Sequence, residues 1–298
     1  MLLVLAVLLA ACAAFVPNFA TWENQKGMLL SVSTVGMVAC TMLFCLASGN
    51  FDLSVGTVVP CAGVVAAIVT NRTGSYAAGL AAGLGAGAVV GLVNGLVVAG
   101  LRINPLITTL ATMQMVKGFT FIVSGGRAVG VASDAFSALG LSRFLGVQTP
   151  VWICAASFCV FGFLLDRTTF GRNTLAIGGN EEAAHLAGVP VVRLKVLIFT
   201  IQGIVAAFAG IVLASRMTSG QPKSSEGFEL EVIAACVLGG VSLTGGVGRM
   251  SFVLAGVLIM GVVQNAMSLL NIDSFYQYVV RGAILLAAVT FDRLKQRR

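Results

Sequence analysis

An all-α, polytopic membrane protein of about ten transmembrane helices is the fold that the sequence predicts, on three observations. Only 10% of its 298 residues are charged and 58% are hydrophobic, whereas a soluble domain is about a quarter charged. Its mean hydropathy is +0.99. Apolar runs recur along the whole chain at close to the roughly 20 residues that a helix needs to cross a bilayer core. At this length, residues 1–298 read as a single transmembrane domain. The net charge of +7 reads as membrane topology. No basic run sits on a soluble domain, so nucleic acid is set aside as a partner.

Hydropathy marks spans at about 1–16, 28–48, 53–70, 76–100, 105–124, 150–166, 196–215, 230–243, 250–270 and 276–291. The first, MLLVLAVLLAACAAF, is short. Leu9-Ala10-Ala11-Cys12 resembles a lipoprotein processing box, but the missing basic residues and the nine spans behind it favour a first transmembrane helix. A start further upstream would lengthen that span. Before the third span, Asp52 in FDLSVG is placed to cap the helix, where negative charge suits the dipole. The fourth, GLAAGLGAGAVVGLVNG, is dense in small residues that allow close helix packing. In the fifth, Thr108 and Thr112 share a face that Met115 and Phe119 continue. The eighth is short and glycine-rich, so a broken or re-entrant helix is expected, buried in protein or lining a cavity.

Five plus five spans give the two halves opposite orientations. GLVNGLVVAGLRINPLI from Gly91 faintly echoes GVVQNAMSLLNIDSF from Gly261, as an inverted repeat would. Ten spans put both termini on one side. With that side cytoplasmic, Arg102, Arg167, Arg172, Arg193, Lys195, Arg249, Arg293, Lys295, Arg297 and Arg298 lie inside. Lys26, Arg72, Arg127, Arg143, Arg216 and Lys223 lie outside. The asymmetry favours an N-in, C-in chain. The seven cysteines lie inside apolar runs without CxxC or Cys/His spacing, so neither a metal site nor a disulfide framework is expected.

The stretch GGNEEAAHLAGVPVVRLK, 178–195, interrupts this apolar pattern with a compact set of charges. Asn180 is a good N-cap, and Glu181 and Glu182 suit the first turn. Gly188 fits a C′ position with Pro190 following. A capped two-turn helix is predicted, too short to stand alone. It must dock on a surface, either this protein's own loops or a partner subunit.

At this point a family resemblance carries further. GRNTLAIGGNEEAAHLAGVPVVR (171–193) resembles the cytoplasmic loop of ribose/arabinose-type sugar permeases of bacterial ABC importers. So do GNFDLSVG (49–56), NPLITTLATM (104–113) and ELEVIAACVLGGVSLTGGVG (229–248). MVACTMLFCLASG (37–49), ASRMTSGQP (214–222) and QYVVRGAILLAAV (277–289) are similar to the arabinose-type members. The resemblance implies a homodimeric pore in the inner membrane, with a fold similar to that of the vitamin B12 importer's membrane subunit. It implies a coupling loop, 167–195, whose helix docks in a groove on a separate ATP-binding cassette ATPase. Arg172, Asn180, Glu181, Glu182, His185, Leu186 and Gly188 are its coupling candidates. It also implies a periplasmic sugar-binding protein that delivers the cargo.

The residues agree with that division of labour. No GxxxxGK[ST] phosphate loop is present, so the chain is not expected to bind ATP in that way, nor to be an enzyme or carry a cofactor. LTGGVG, 243–248, reads as a cytoplasmic turn placed near the coupling helix. A sugar is a neutral polyol, so its path needs amides and hydroxyls. The candidates are Asn94, Asn104, Thr108, Thr112, Lys117, Gln264, Asn265 and Arg281, against the alternative of interhelical hydrogen bonds worth about 0.6 kcal/mol each. Lys117 and Arg281, in spans five and ten, are the costly ones, and each must face a partner or water. Both are expected at the pore or the dimer seam. The competing function is a stand-alone secondary transporter or facilitator. Asp52, Asp166, Glu229, Glu231, Asp273 and Asp292 all fall near span ends, which disfavours the mid-span acids of ion-coupled carriers.

Overall fold

The structure is a computed structural model and describes residues 1–296, with side chains through Thr290. Helices α1 (Leu2–Phe15), α2 (Trp22–Ala47), α3 (Val55–Thr73) and α4 (Tyr76–Gly95) come first, and a π turn (Leu96–Gly100) extends α4. Next come α5 (Pro105–Ser124), α6 (Asp134–Leu141), α7 (Thr149–Arg167), α8 (Thr169–Gly179) and α9 (Glu181–Leu186). The chain continues through α10 (Val191–Arg216), α11 (Phe228–Leu238), α12 (Met250–Leu269) and α13 (Ser274–Gln296).

Among the described residues, seven helices are long and apolar enough to cross a membrane: α2, α3, α4 with its π turn, α5, α7, α10 and α12. Two apolar helices are shorter, α1 and the Ser274–Thr290 part of α13. Each of the ten expected segments falls on a helix. The eighth is α11, whose 11 residues span about 16 Å, roughly half a bilayer core. The expected starts of α2 and α10 are late because hydropathy misses polar first turns. Thr21 caps α2 by accepting the Asn24 N–H, and Pro190 leads into α10. Of the basic tail used for orientation, Arg297 and Arg298 lie outside the described residues, as do the side chains of Arg293 and Lys295.

Four two-residue strands depart from the all-α expectation. Val129–Gly130 (β1) pairs antiparallel with Ser219–Gly220 (β4), and Arg143–Phe144 (β2) with Val147–Gln148 (β3). The first ladder holds the connector 217–227 beside the middle of α3, where Gly220 abuts Val64.

Helix α2 forms the centre, buried continuously from Val32 to Ala47, with α7, α10, α11 and α12 packed on it. Helix α4 closes against α10 and α3 along one row. Gly79, Gly83, Gly87, Gly91 and Gly95 recur every four residues and are all buried. A Cβ on Gly87 would overlap the Gly203 carbonyl, one on Gly203 the Gly87 carbonyl, and one on Gly91 the Phe199 carbonyl. In lipid, helices associate by such close contact, since apolar burial supplies no drive between them.

Two local expectations are corrected. On α5 the buried row is Thr108, Thr112, Val116 and Thr120, while Met115 and Phe119 face outward. The packed stripe follows the i, i+4 ridge and leaves those two on the open side. Asp52 does not cap α3. Ser54 holds the N-cap position without a side-chain cap bond, and Asp52 accepts the Ser54 backbone N–H at 3.0 Å.

The glycine row carries a testable consequence. Gly87→Leu is expected to destabilise the bundle by about 1–3 kcal/mol through overpacking. Gly85→Leu, with nothing within 4 Å of its added Cβ, is expected to leave the apparent unfolding temperature in detergent unchanged. Equal unfolding temperatures for the two variants would contradict this packing.

Candidate functional site

Helix α9 is built from its own termini. The Asn180 side chain accepts the Ala183 N–H at 2.9 Å, and Glu181 and Glu182 occupy the first turn. Gly188 takes φ +85°, which lets its N–H reach the His185 carbonyl at 2.9 Å while Val189 N–H reaches that of Ala184 at 3.0 Å. The caps predicted at 180 and 188 are thus both present. The helix has six residues, a turn and a half.

Three contacts hold it. Ala184 is buried beneath it. Lys195, in the first turns of α10, bonds Glu181 at 2.6 Å. At the end of α8, Gly178 lies so close to Ala47 and Gly246 that a Cβ would overlap both backbones, and Gly246 N–H donates to the Ala47 carbonyl at 2.9 Å. The turn 242–248 therefore joins the ends of α2 and α8. Gly245 and Gly246 both take positive φ there.

The outer face presents Arg172, Glu181, Glu182 and His185, all exposed, with Leu186 at the apex, 81% exposed. A groove of about 1060 Å³ runs between α9 and the α4–α5 connector, lined by Arg102, Asn104, Glu181, Glu182, His185 and Lys195, among others.

The polar residues expected along a substrate path divide into groups. Asn94, Thr108 and Thr112 join a buried chain of hydrogen bonds. Thr112 donates to the Asn94 carbonyl oxygen at 2.7 Å, and the Asn94 amide donates to Ser54 Oγ at 2.9 Å. Ser54 in turn bonds Asp52, and Thr112 also bonds the Thr108 carbonyl. Burial pushes the Asp52 carboxyl up to about 6, against the pull of its bonds from Ser54. The chain ties α3, α4 and α5 together. Asn104 caps α5 by accepting the Leu106 N–H at 2.9 Å. Asn265 exchanges two bonds with Asn24, at 2.8 and 2.9 Å, linking α12 to α2.

Gln264, Arg281 and Lys117 lead to two residues that the sequence marked only as acids near a span end. Gln264 donates to Glu231 at 2.6 Å, and Arg281 approaches the same carboxylate at 3.7 Å while stacking over the Tyr278 ring. Lys117 lines a cavity of about 300 Å³ that Glu229 also lines. Both glutamates sit in the first turn of α11. The available signal was charge balance: two cations in apolar spans require acids, and these two enter an apolar half-helix. Among the described residues no group of three His, Cys, Asp or Glu side chains is placed to hold a metal ion, and all seven cysteines are free thiols.

Comparison with known proteins gives concordant matches. The family model described as branched-chain amino acid transport system / permease component matches residues 24–289. The L-arabinose transport system permease protein of Escherichia coli K12 is 64% identical over 297 residues, covering 100% of this chain and 90% of that protein. The L-arabinose ABC transporter permease protein of Azospirillum brasilense is 55% identical over 298 residues, covering 99% and 88%. The ribose import permease protein of Bacillus subtilis is 41% identical over 282 residues, covering 94% and 87%. No solved structure matches. With a family match across nearly all of its helices and identities that run the length of the chain, this polytopic membrane protein belongs to the transport-system permease components.

Proposed function

We propose that the chain is the membrane-spanning permease subunit of an ATP-driven sugar importer of the inner membrane, with L-arabinose or a related pentose as cargo. One observation carries this reading: 64% and 55% identity over essentially the whole chain to two L-arabinose permeases. The capped, outward-facing α9 supports it, because a helix of six residues held at both ends on the protein's own scaffold is a preformed docking element. Leu186 at its apex enters a groove on the ATPase, with Glu182 and His185 at its flanks and Arg172 on the neighbouring α8. Asn180 and Gly188 shape the helix.

In this reading the ten apolar segments all belong to the membrane region, α11 as a half-helix, and the chain is N-in and C-in, with α9 in the cytoplasm. Two copies form the pore in an inverted-repeat fold similar to the vitamin B12 importer's membrane subunit. A periplasmic sugar-binding protein docks at the opposite end. Force applied to α9 passes along two routes. One runs through the Glu181–Lys195 bridge into α10. The other runs through Gly178 into the end of α2 and the turn 242–248, which leads from α11 to α12. Lys117 and Arg281 line the path from α5 and α13.

Reconstitution tests the proposal. L-arabinose uptake into proteoliposomes is expected only when the ATPase, ATP and the sugar-loaded binding protein accompany this chain. Uptake by the chain alone would instead establish a stand-alone facilitator. The docking element is tested separately. Leu186→Asp is expected to weaken ATPase binding by about 2 kcal/mol or more, roughly 30-fold. The permease's unfolding temperature should not change, since the side chain is exposed. Undiminished co-purification with the ATPase would exclude Leu186 as an anchor.

A further inference from the structure

The two cations in apolar segments are handled differently. Arg281 has its acid in Glu231. Lys117 makes no hydrogen bond or ion pair among the described residues, and shares its cavity with Glu229. That cavity, between α3, α5 and the connector 222–229, is at the lower end of the size range of small-molecule sites.

Its walls are built for uncharged polar cargo. The charged side chains lining it are Lys117, Lys223, Glu226 and Glu229, two of each sign, so it offers no net attraction to an anion or a cation. Gly56 leaves the space that the Glu229 carboxylate occupies, since a Cβ at 56 would displace it. Pro60 lies inside α3 and has no N–H to give the Gly56 carbonyl four residues earlier, and both residues line the cavity. The buried Thr57 hydroxyl donates to the Ser54 carbonyl at 3.0 Å and keeps its lone pairs for a further donor. An ammonium with three donors, a carboxylate and a hydroxyl thus line one small volume. Hydroxyl groups, which donate and accept at once, satisfy such a set where an apolar or singly charged solute would leave part of it unpaired.

We propose that this cavity within each protomer is a binding site for a neutral polyhydroxylated solute of monosaccharide size, held between Lys117 and Glu229 during passage. The proposal rests on the sugar-importer reading and adds a site to it. Its test uses proteoliposomes with the complete importer, measuring L-arabinose uptake and ATP hydrolysis together at saturating loaded binding protein. Lys117→Met and Glu229→Gln are each expected to lower uptake roughly tenfold or more, the loss of one charge-assisted hydrogen bond. Hydrolysis should stay near the wild-type rate, so sugar moved per ATP falls. Unchanged uptake in both variants overturns the proposal. So does a parallel fall of uptake and hydrolysis, which would make the pair a structural tie. If the Lys117→Met complex fails to assemble, Thr57→Val takes its place, with a fall in sugar per ATP expected and an unchanged ratio counting against the site. Wild-type importer that takes up no L-arabinose refutes the function reading and this site with it, whereas active wild type with unaffected variants refutes the site alone.

Discussion

The close approach of α4 to α10 and α3 is the constraint on which the remaining geometry depends. A bilayer removes the drive that buries apolar side chains in water, so contact between backbones must supply the attraction. Five buried glycines at four-residue spacing give α4 one face without side chains, Gly203 answers from α10, and Gly210 of α10 lies against Val59 of α3. The consequences reach both functional regions. With α4 seated, Asn94 stands where it can bond Ser54 and Thr112, which places the starts of α3 and α5. With α10 seated, Lys195 stands where it can hold Glu181, which places α9.

The polar residues of the interior follow from the same scarcity of water. An amide or hydroxyl in such a place needs a partner, and most find one on another helix: Asn24 with Asn265, Asn94 with Thr112, Gln264 with Glu231. These bonds do structural work in every case, whatever else the residues touch. A polar side chain in an apolar helix is therefore a poor guide to cargo.

Local features were legible in the residues and distant pairings were not. Asn180, Gly188 and Pro190 write the ends of α9 into adjacent positions, so its caps could be read directly. The same holds for the glycine row and for the short eighth segment, α11. The turn of α5 that faces inward could not be read. Thr108 and Thr112 are compatible with either an i+3 or an i+4 continuation, and only packing on α3 selects Val116 and Thr120 over Met115 and Phe119. The β1–β4 ladder joins residues about ninety apart in sequence, and two-residue strands carry no periodicity. Glu229 and Glu231 were seen only as acids near the end of a span, because the residues they face lie on other helices distant in sequence.

Glu229 and Glu231 divide the surroundings of α11 between them. They occupy its first turn, where the helix dipole favours negative charge, and two positions along a helix turn the side chain by about 200°. Glu229 therefore faces the α3–α5 side while Glu231 faces α12 and α13. The first turn of α11 thus stands between Lys117 on α5 and Arg281 on α13, with Glu229 sharing a cavity with the first and Glu231 approaching the second at 3.7 Å. Any displacement of α5 relative to α13 must move α11 or change the distance from one of its two acids to the cation it faces.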